Sequence, residues 1–126
     1  MVDASSMSMQ VNLFISGRKL KDMDTFSKSD PQCWLFEQQP NKQWTKIAQT
    51  EIINNNLNPD FQTSFTLAYF FEKVQRYKFM MVDADNKSGS DYDEIGEVET
   101  TMGSLMGAAR QTFTANLTHK GQLNRG

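Results

Sequence analysis

Apolar and polar residues alternate over short stretches of the chain, which is the pattern of half-buried β-strands. In the first stretch Val11, Leu13 and Ile15 share one face, and they alternate with Asn12, Phe14 and Ser16 on the other. Turn signals rich in Asn, Gly and Pro separate this stretch from later ones. The predicted strands cover residues 11–16, 33–36, 44–53, 61–67, 77–82, 95–102 and 111–118. Short strands at this spacing favour an all-β fold, an antiparallel β-sandwich.

Three segments interrupt the strand pattern. An irregularity is expected near Ala48 in the third strand, and residues 104–110 predict a turn of helix. Residues 68–76 admit a helical turn, but the segment is too short for its periodicity to decide.

Composition narrows the class of protein. A chain of 126 residues with 38% apolar residues is enough for one domain with a core. The sequence has no apolar run near the roughly 18 residues of a membrane span, and its first ten residues do not read as a secretory signal. A net charge of -2 argues against general nucleic-acid binding. Cys33 is the single cysteine, which favours a reduced, cytoplasmic compartment.

The aspartates are concentrated in two predicted loops. Seven of the nine belong to these loops: Asp22, Asp24, Asp30, Asp83, Asp85, Asp91 and Asp93. Asp is common in turns, but packing so many like charges together is unfavourable unless a cation compensates them. Loops after the first and fifth strands can meet at one end of a sandwich. We therefore interpret them as a metal site.

Several chemistries compete for this site. Clustered carboxylates are hard oxygen ligands and favour Ca²⁺ over Mg²⁺, while zinc would require Cys or His. A helix-loop-helix calcium loop starting at Asp83 is rejected, because Lys87 and Ser88 break its pattern and its flanks predict strands. Catalysis is not expected, because the acidic loops hold no nucleophile and no His. His119 is predicted to lie in a surface turn.

The loop sequences resemble those of C2 domains. Residues 20–31 are similar to the first calcium loop of that family, residues 56–59 to its Asn-Pro turn, and residues 82–85 and 93–97 to its third loop and following strand. Residues 26–31, 50–53 and 70–75 look most like the first C2 domain of the copines.

The resemblance implies a set of ligands and membrane contacts. The side-chain ligands for Ca²⁺ would be Asp24, Asp30, Asp83, Asp85 and Asp93, with Asp91 as the alternative for the last position. Main-chain carbonyls would come from Met23, Thr25 and Ala84. Membrane contacts would come from Met23, Phe26, Lys28 and Lys87.

The function implied is calcium-dependent binding of anionic, phosphatidylserine-like phospholipids on the cytosolic face of the plasma membrane or endomembranes. The alternative is a protein-protein interaction module that does not use calcium. Residues 1–10 are expected to be a flexible tail and 11–126 one C2-like domain, the amino-terminal piece of a longer protein. C2 sandwiches have eight strands and only seven are predicted here, so we expect the first strand to have an unpaired edge.

Overall fold

The structure is a computed structural model that describes residues 8–23, 28–84, 92–121 and 125–126, and about half of these residues lie in six β-strands. The strands are β1 (Ser8–Ser16), β2 (Pro31–Gln38), β3 (Trp44–Gln49), β4 (Asp60–Phe70), β5 (Arg76–Asp83) and β6 (Asp93–Thr101). A short helix, α1 (Met102–Met106), follows β6, and a 3₁₀ turn spans Ala109–Gln111.

The strands form two antiparallel sheets. β1 pairs with β4 alone, and the larger sheet has the order β3-β2-β5-β6. Side chains from both sheets enter one core, because alternate residues of each strand point inward. The prediction of an all-β antiparallel sandwich is confirmed.

The core follows the predicted alternation. Leu35, Phe65, Tyr77 and Ile95 are buried, and each such side chain contributes about 1.5–3 kcal/mol through burial. The inner face of β1 is only half-buried, at Val11, Leu13 and Ile15.

Cys33 is a fully buried free thiol of β2. Burial disfavours the charged thiolate and raises the pKa of Cys33 to about 12. The thiol is therefore protonated at neutral pH and behaves as a small apolar side chain.

Some element boundaries differ from the prediction. β1 begins at Ser8, so residues 8–10 of the expected tail belong to a strand. The undecided segment 68–76 begins as a strand and continues as a turn: Ala68, Tyr69 and Phe70 extend β4 and pair with β1, and the amide of Lys73 donates to the carbonyl of Phe70 at 3.1 Å. The irregularity near Ala48 is confirmed as a register shift between β2 and β3, and the predicted turn of helix corresponds to α1.

The predicted seventh strand, residues 111–118, is wrong. Residues 112–117 form no strand, and only Thr118 pairs, as an isolated bridge with Glu97. Alternation at Phe113 and Leu117 favours an extended chain, but a strand also needs a neighbour to pair with. Along residues 112–117 no described strand takes that position.

A groove separates this extended segment from the first strand. Residues 12–16 of β1 and Gly17 line one side, residues 111–117 line the other, and Cys33, Phe79 and Met81 of the larger sheet form part of its floor. Its volume is about 830 Å³. We call it the edge groove. Among the described strands β1 pairs only with β4, which agrees with the expected unpaired edge.

Candidate metal site

Two loops meet at one end of the sandwich, which we call the loop end. Pro31 of β2 is opposite Asp83 of β5, and Asp83 is opposite Asp93 of β6, so the loop before β2 is adjacent to the loop between β5 and β6. The amide of Ala84 donates to the carbonyl of Asp30 at 3.0 Å and joins these two loops. The two acidic segments, far apart in sequence, are therefore neighbours.

Asp83 is the most buried carboxylate at the loop end. It is the last residue of β5, its side chain is fully buried, and its Oδ1 accepts a 2.9 Å hydrogen bond from the amide of Asp30. Burying a carboxylate is unfavourable unless hydrogen bonds or a cation compensate it. Its position is therefore fixed by both the strand and the first loop.

Asp30 and Asp93 flank Asp83 with different exposure. Asp30 is half-buried, and its Oδ1 accepts a 2.8 Å hydrogen bond from the amide of Asn55 in the loop between β3 and β4. Asp93 is exposed and begins β6. Among the described side chains, no Lys, Arg or His forms an ion pair with Asp30 or Asp93. Within the described part of the chain, no basic side chain therefore balances the charge of either carboxylate.

The other described residues of the predicted site are not acidic. Met23 is half-buried, and its amide donates to Ser29 Oγ at 2.8 Å. Ala84 is buried and directly follows Asp83, while Lys28 is exposed on the first loop. The remaining predicted residues lie outside the described part of the chain: Asp24, Thr25, Phe26, Asp85, Lys87 and Asp91.

The described part of the site supplies part of the predicted set of calcium ligands. Within residues 8–23, 28–84, 92–121 and 125–126, no three His, Cys, Asp or Glu side chains lie close enough together to hold a metal ion. Asp83 and Asp93 are nevertheless opposite each other in register, Asp30 is hydrogen-bonded to Asp83 through its amide, and the oxygen donors of all three are the type that Ca²⁺ prefers. The residues therefore fit Ca²⁺ in donor chemistry.

The sequence prediction missed an acid-histidine pair beside this site. His119 is half-buried, not in the predicted surface turn, and its Nδ1 lies 2.8 Å from Glu94 Oε2. Glu94 directly follows Asp93. Nothing in the local sequence of either residue signals a contact across 25 positions.

Arg125 is a second residue that sequence reasoning missed. Its side chain is buried and contacts the beginning of β6, where its Nε donates to the carbonyl of Ile95 at 2.6 Å and its Nη2 to that of Glu94 at 3.2 Å. In the sequence, Arg125 belongs to a polar terminal segment, and nothing in that segment predicts that its side chain is buried.

Lysine side chains cover aromatic rings on the outer face of the larger sheet. Lys46 Nζ lies 3.7 Å from the ring centre of Trp34, and Lys78 Nζ lies 4.7 Å from that of Trp44. Tyr92 packs edge-to-face on Trp34 at 4.5 Å. Partial burial lowers the pKa of Lys46. These cations are spaced along the sheet and do not form a dense basic cluster.

Comparison with known proteins agrees with the resemblance seen in the sequence. The profile described as "C2 domain" matches residues 9–117. Nicotinic receptor-associated protein 1 of Caenorhabditis elegans is 36% identical over 96% of this chain and 22% of its own length. Copine-E of Dictyostelium discoideum is 41% identical over 77% of this chain and 17% of its own length, and Copine-A of the same organism is 38% identical over 88% and 18%. The chain therefore spans about a fifth of these curated relatives.

Solved structures with the same fold include a C2 domain and a larger enzyme. "BON1-C2B" superposes with a TM-score of 0.73 at 23% identity, over 96% of this chain and 85% of that one. Human GIVD cytosolic phospholipase A2 gives a TM-score of 0.65 at 17% identity, over 82% of this chain and 13% of that one. In the described residues, no helix is long and apolar enough to cross a membrane. The chain belongs to the C2 domain family, and within it the similarity to copines is confirmed.

Proposed function

We propose that this domain binds anionic phospholipid membranes in a calcium-dependent manner, without catalysis. Membership of the C2 family supports membrane or lipid binding in general. The observation that supports calcium is that carboxylates of both acidic segments lie at the loop end: Asp83 is opposite Asp93 in register, and the amide of Asp30 donates to Asp83. Solved structures that share the fold include a cytosolic phospholipase and a domain of a plant extended synaptotagmin.

The residues of the site would act in two groups. Asp83 and Asp30 would hold Ca²⁺ from the interior side, where hydrogen bonds already fix them, and the exposed Asp93 would complete the described part from β6. Bound Ca²⁺ supplies positive charge and coordination positions that lipid oxygens can fill. The further predicted ligands are Asp24, Asp85 and the carbonyls of Met23, Thr25 and Ala84.

The charge of the loop end explains why calcium would act as a switch. Without the ion, the clustered carboxylates repel an anionic membrane surface, whose potential is about -30 mV. With the ion, the same end attracts it. Because the two equilibria are linked, lipid should tighten calcium binding by the same factor by which calcium tightens lipid binding. Lys28 on the first loop, which is exposed, would add attraction.

Vesicle sedimentation tests the proposal directly. We expect the chain to sediment with phosphatidylserine vesicles in calcium, to be released by chelator, and to stay free of phosphatidylcholine vesicles. Binding should weaken as salt rises, because salt screens the attraction between charges. A calorimetric calcium titration with and without vesicles would measure the linkage.

Two outcomes would contradict the proposal in different ways. Equal sedimentation with calcium and with chelator would exclude the calcium switch while leaving lipid binding. No sedimentation under either condition would exclude lipid binding and favour the alternative, a protein-protein interaction module.

A further inference from the structure

We propose that Arg125 is a positioning residue for the calcium site, which holds the first loop against the beginning of β6 before the ion binds. The inference rests on the proposed calcium binding. It concerns a residue that is not itself a predicted ligand and that lies far in sequence from both acidic segments.

Arg125 contacts both sides of the loop end through different atoms. Its main-chain carbonyl accepts a 2.8 Å hydrogen bond from the amide of Lys21, in the first loop. Its guanidinium donates to the carbonyls of Glu94 and Ile95 at 3.2 and 2.6 Å, at the beginning of β6. The same guanidinium lies 3.7 Å from Met23 Sδ. Arg125 thus connects Lys21, two positions before the predicted ligand Met23, to Glu94, which directly follows the predicted ligand Asp93.

Because Arg125 is buried, losing these hydrogen bonds would be energetically unfavourable. Arg125 is only 5% exposed, and a guanidinium stays charged at any ordinary pH. Hydrogen bonds that involve a charged donor are stronger than neutral ones, and the fork of donors suits two successive carbonyls. Removing the side chain would leave the carbonyls of Glu94 and Ile95 without these donors. We therefore expect the beginning of β6 and the first loop to separate more readily.

The expected effect on calcium separates positioning from simple electrostatics. A positive charge near a cation site repels the cation, so if charge alone mattered, removing Arg125 would tighten calcium binding. If Arg125 holds Met23 and Asp93 in place, then without it ion binding must also order the loops, and binding weakens. Groups that orient metal ligands have measured effects of about tenfold and more on metal affinity. The sign of the change therefore decides between the two.

The experiment compares Arg125→Gln with the unaltered chain and with Arg110→Gln. Arg110 is exposed, so this control makes the same change of charge away from the loop end. In calcium, we expect Arg125→Gln to weaken binding about tenfold, Arg125→Lys to have an intermediate effect, and Arg110→Gln to leave binding unchanged. Met102→Ala, which removes a buried side chain beside the turn between β4 and β5, controls for loss of stability alone.

A second measurement needs no calcium. In calcium-free amide hydrogen exchange followed by NMR, we expect the amide of Lys21 to exchange at least about tenfold faster in Arg125→Gln, while core amides of β2 and β5 keep their rates. Unchanged exchange at Lys21, or tighter calcium binding in Arg125→Gln, would overturn the proposal. If the unaltered chain binds no calcium, the proposed function fails and the exchange result alone decides whether Arg125 holds the two segments together.

Discussion

At the scale of single residues, Asp83 is the side chain on which the loop end is built. A strand end fixes its main chain, and the amide of Asp30 fixes one of its oxygens. This rigidity matters for a metal ligand, because a preformed carboxylate loses little freedom when the ion arrives. The position therefore combines the burial of a core residue with the chemistry of a ligand.

Replacing Asp83 with Asn should abolish calcium binding while the domain stays folded. The amide oxygen of Asn can still accept the hydrogen bond from Asp30, so the fold is retained, but the negative charge that Ca²⁺ needs is lost. Glu72→Gln, an equal change of charge in the turn between β4 and β5, should leave calcium binding intact. Calorimetric titration of both variants measures the difference, and retained affinity in Asp83→Asn would place the site elsewhere.

Asp93 and Asp91 can be separated by the same measurement. Asp93 is paired in register with Asp83, so we expect it to be the fifth ligand and Asp91, outside the described residues, to be peripheral. Asp93→Asn should therefore weaken calcium binding by at least about tenfold, and Asp91→Asn by much less. The reverse order of effects would reassign the ligand.

The sequence predicted that the two acidic segments lie together, but not the residues that contact them. The proximity of Asp30, Asp83 and Asp93 could be predicted because loops after the first and fifth strands can meet at one end of a sandwich. Their role as ligands stays a prediction. Arg125 and His119 could not, because each makes its contacts across a large separation in the chain. A single polar residue in a terminal segment gives no periodicity from which burial could be inferred.

At the scale of elements, a glycine of β6 allows the terminal segment to pack closely against this strand. An added Cβ at Gly96 would lie 2.8 Å from the Cβ of Leu117 and 3.1 Å from that of Arg125. Only a residue without a side chain lets Leu117 and Arg125 approach β6 this closely. The bridge between Glu97 and Thr118, next along the strand, depends on the same approach.

Gly96→Ala should therefore destabilise the domain, by about 1–3 kcal/mol, the usual range for overpacking. Gly103→Ala is the matched control: that glycine lies in α1, its added Cβ would have its nearest neighbour at 3.9 Å, and alanine favours helix over glycine. We expect it to be neutral or stabilising. Urea unfolding of both variants would test this, and equal stabilities would mean that the segment yields without strain.

Element prediction succeeded where a strand had a partner and failed where it did not. The first six predicted strands correspond to β1 to β6, although the third was predicted to reach residue 53 and β3 ends at Gln49. The shift near Ala48 was visible as an irregular pattern. Residues 111–118 alternate as well, yet only Thr118 pairs. The alternation of apolar residues indicates which face of the chain is apolar. A strand also needs the edge of another strand with which to pair, and the local sequence does not show whether such an edge is present.

At the scale of the whole molecule, the edge groove lies beside β1, whose only partner among the described strands is β4. A strand with an unpaired edge offers main-chain donors and acceptors to another extended segment. The half-buried side chains of Leu13 and Ile15 line the groove, so such a segment would also cover apolar surface. Gly126 also lines the groove.

A strand added after Gly126 should therefore stabilise the domain. We expect an extension of about 15 residues with an alternating apolar pattern to raise the melting temperature, by about 4 °C for each kcal/mol gained. An extension of equal length made of Gly and Ser should not. Equal melting temperatures for the two extensions would show that the groove accepts no strand.

The buried thiol on the floor of the edge groove makes the opening of this fold measurable. Because the pKa of Cys33 is raised to about 12, its proton is held more tightly in the folded chain than in the unfolded one. The resulting stability is present in full below about pH 9 and is lost as the pH rises towards 12. At neutral pH a thiol reagent can then react only during moments when the sandwich opens. The rate of alkylation should therefore measure how often the sandwich opens, and a strand that fills the groove should lower this rate.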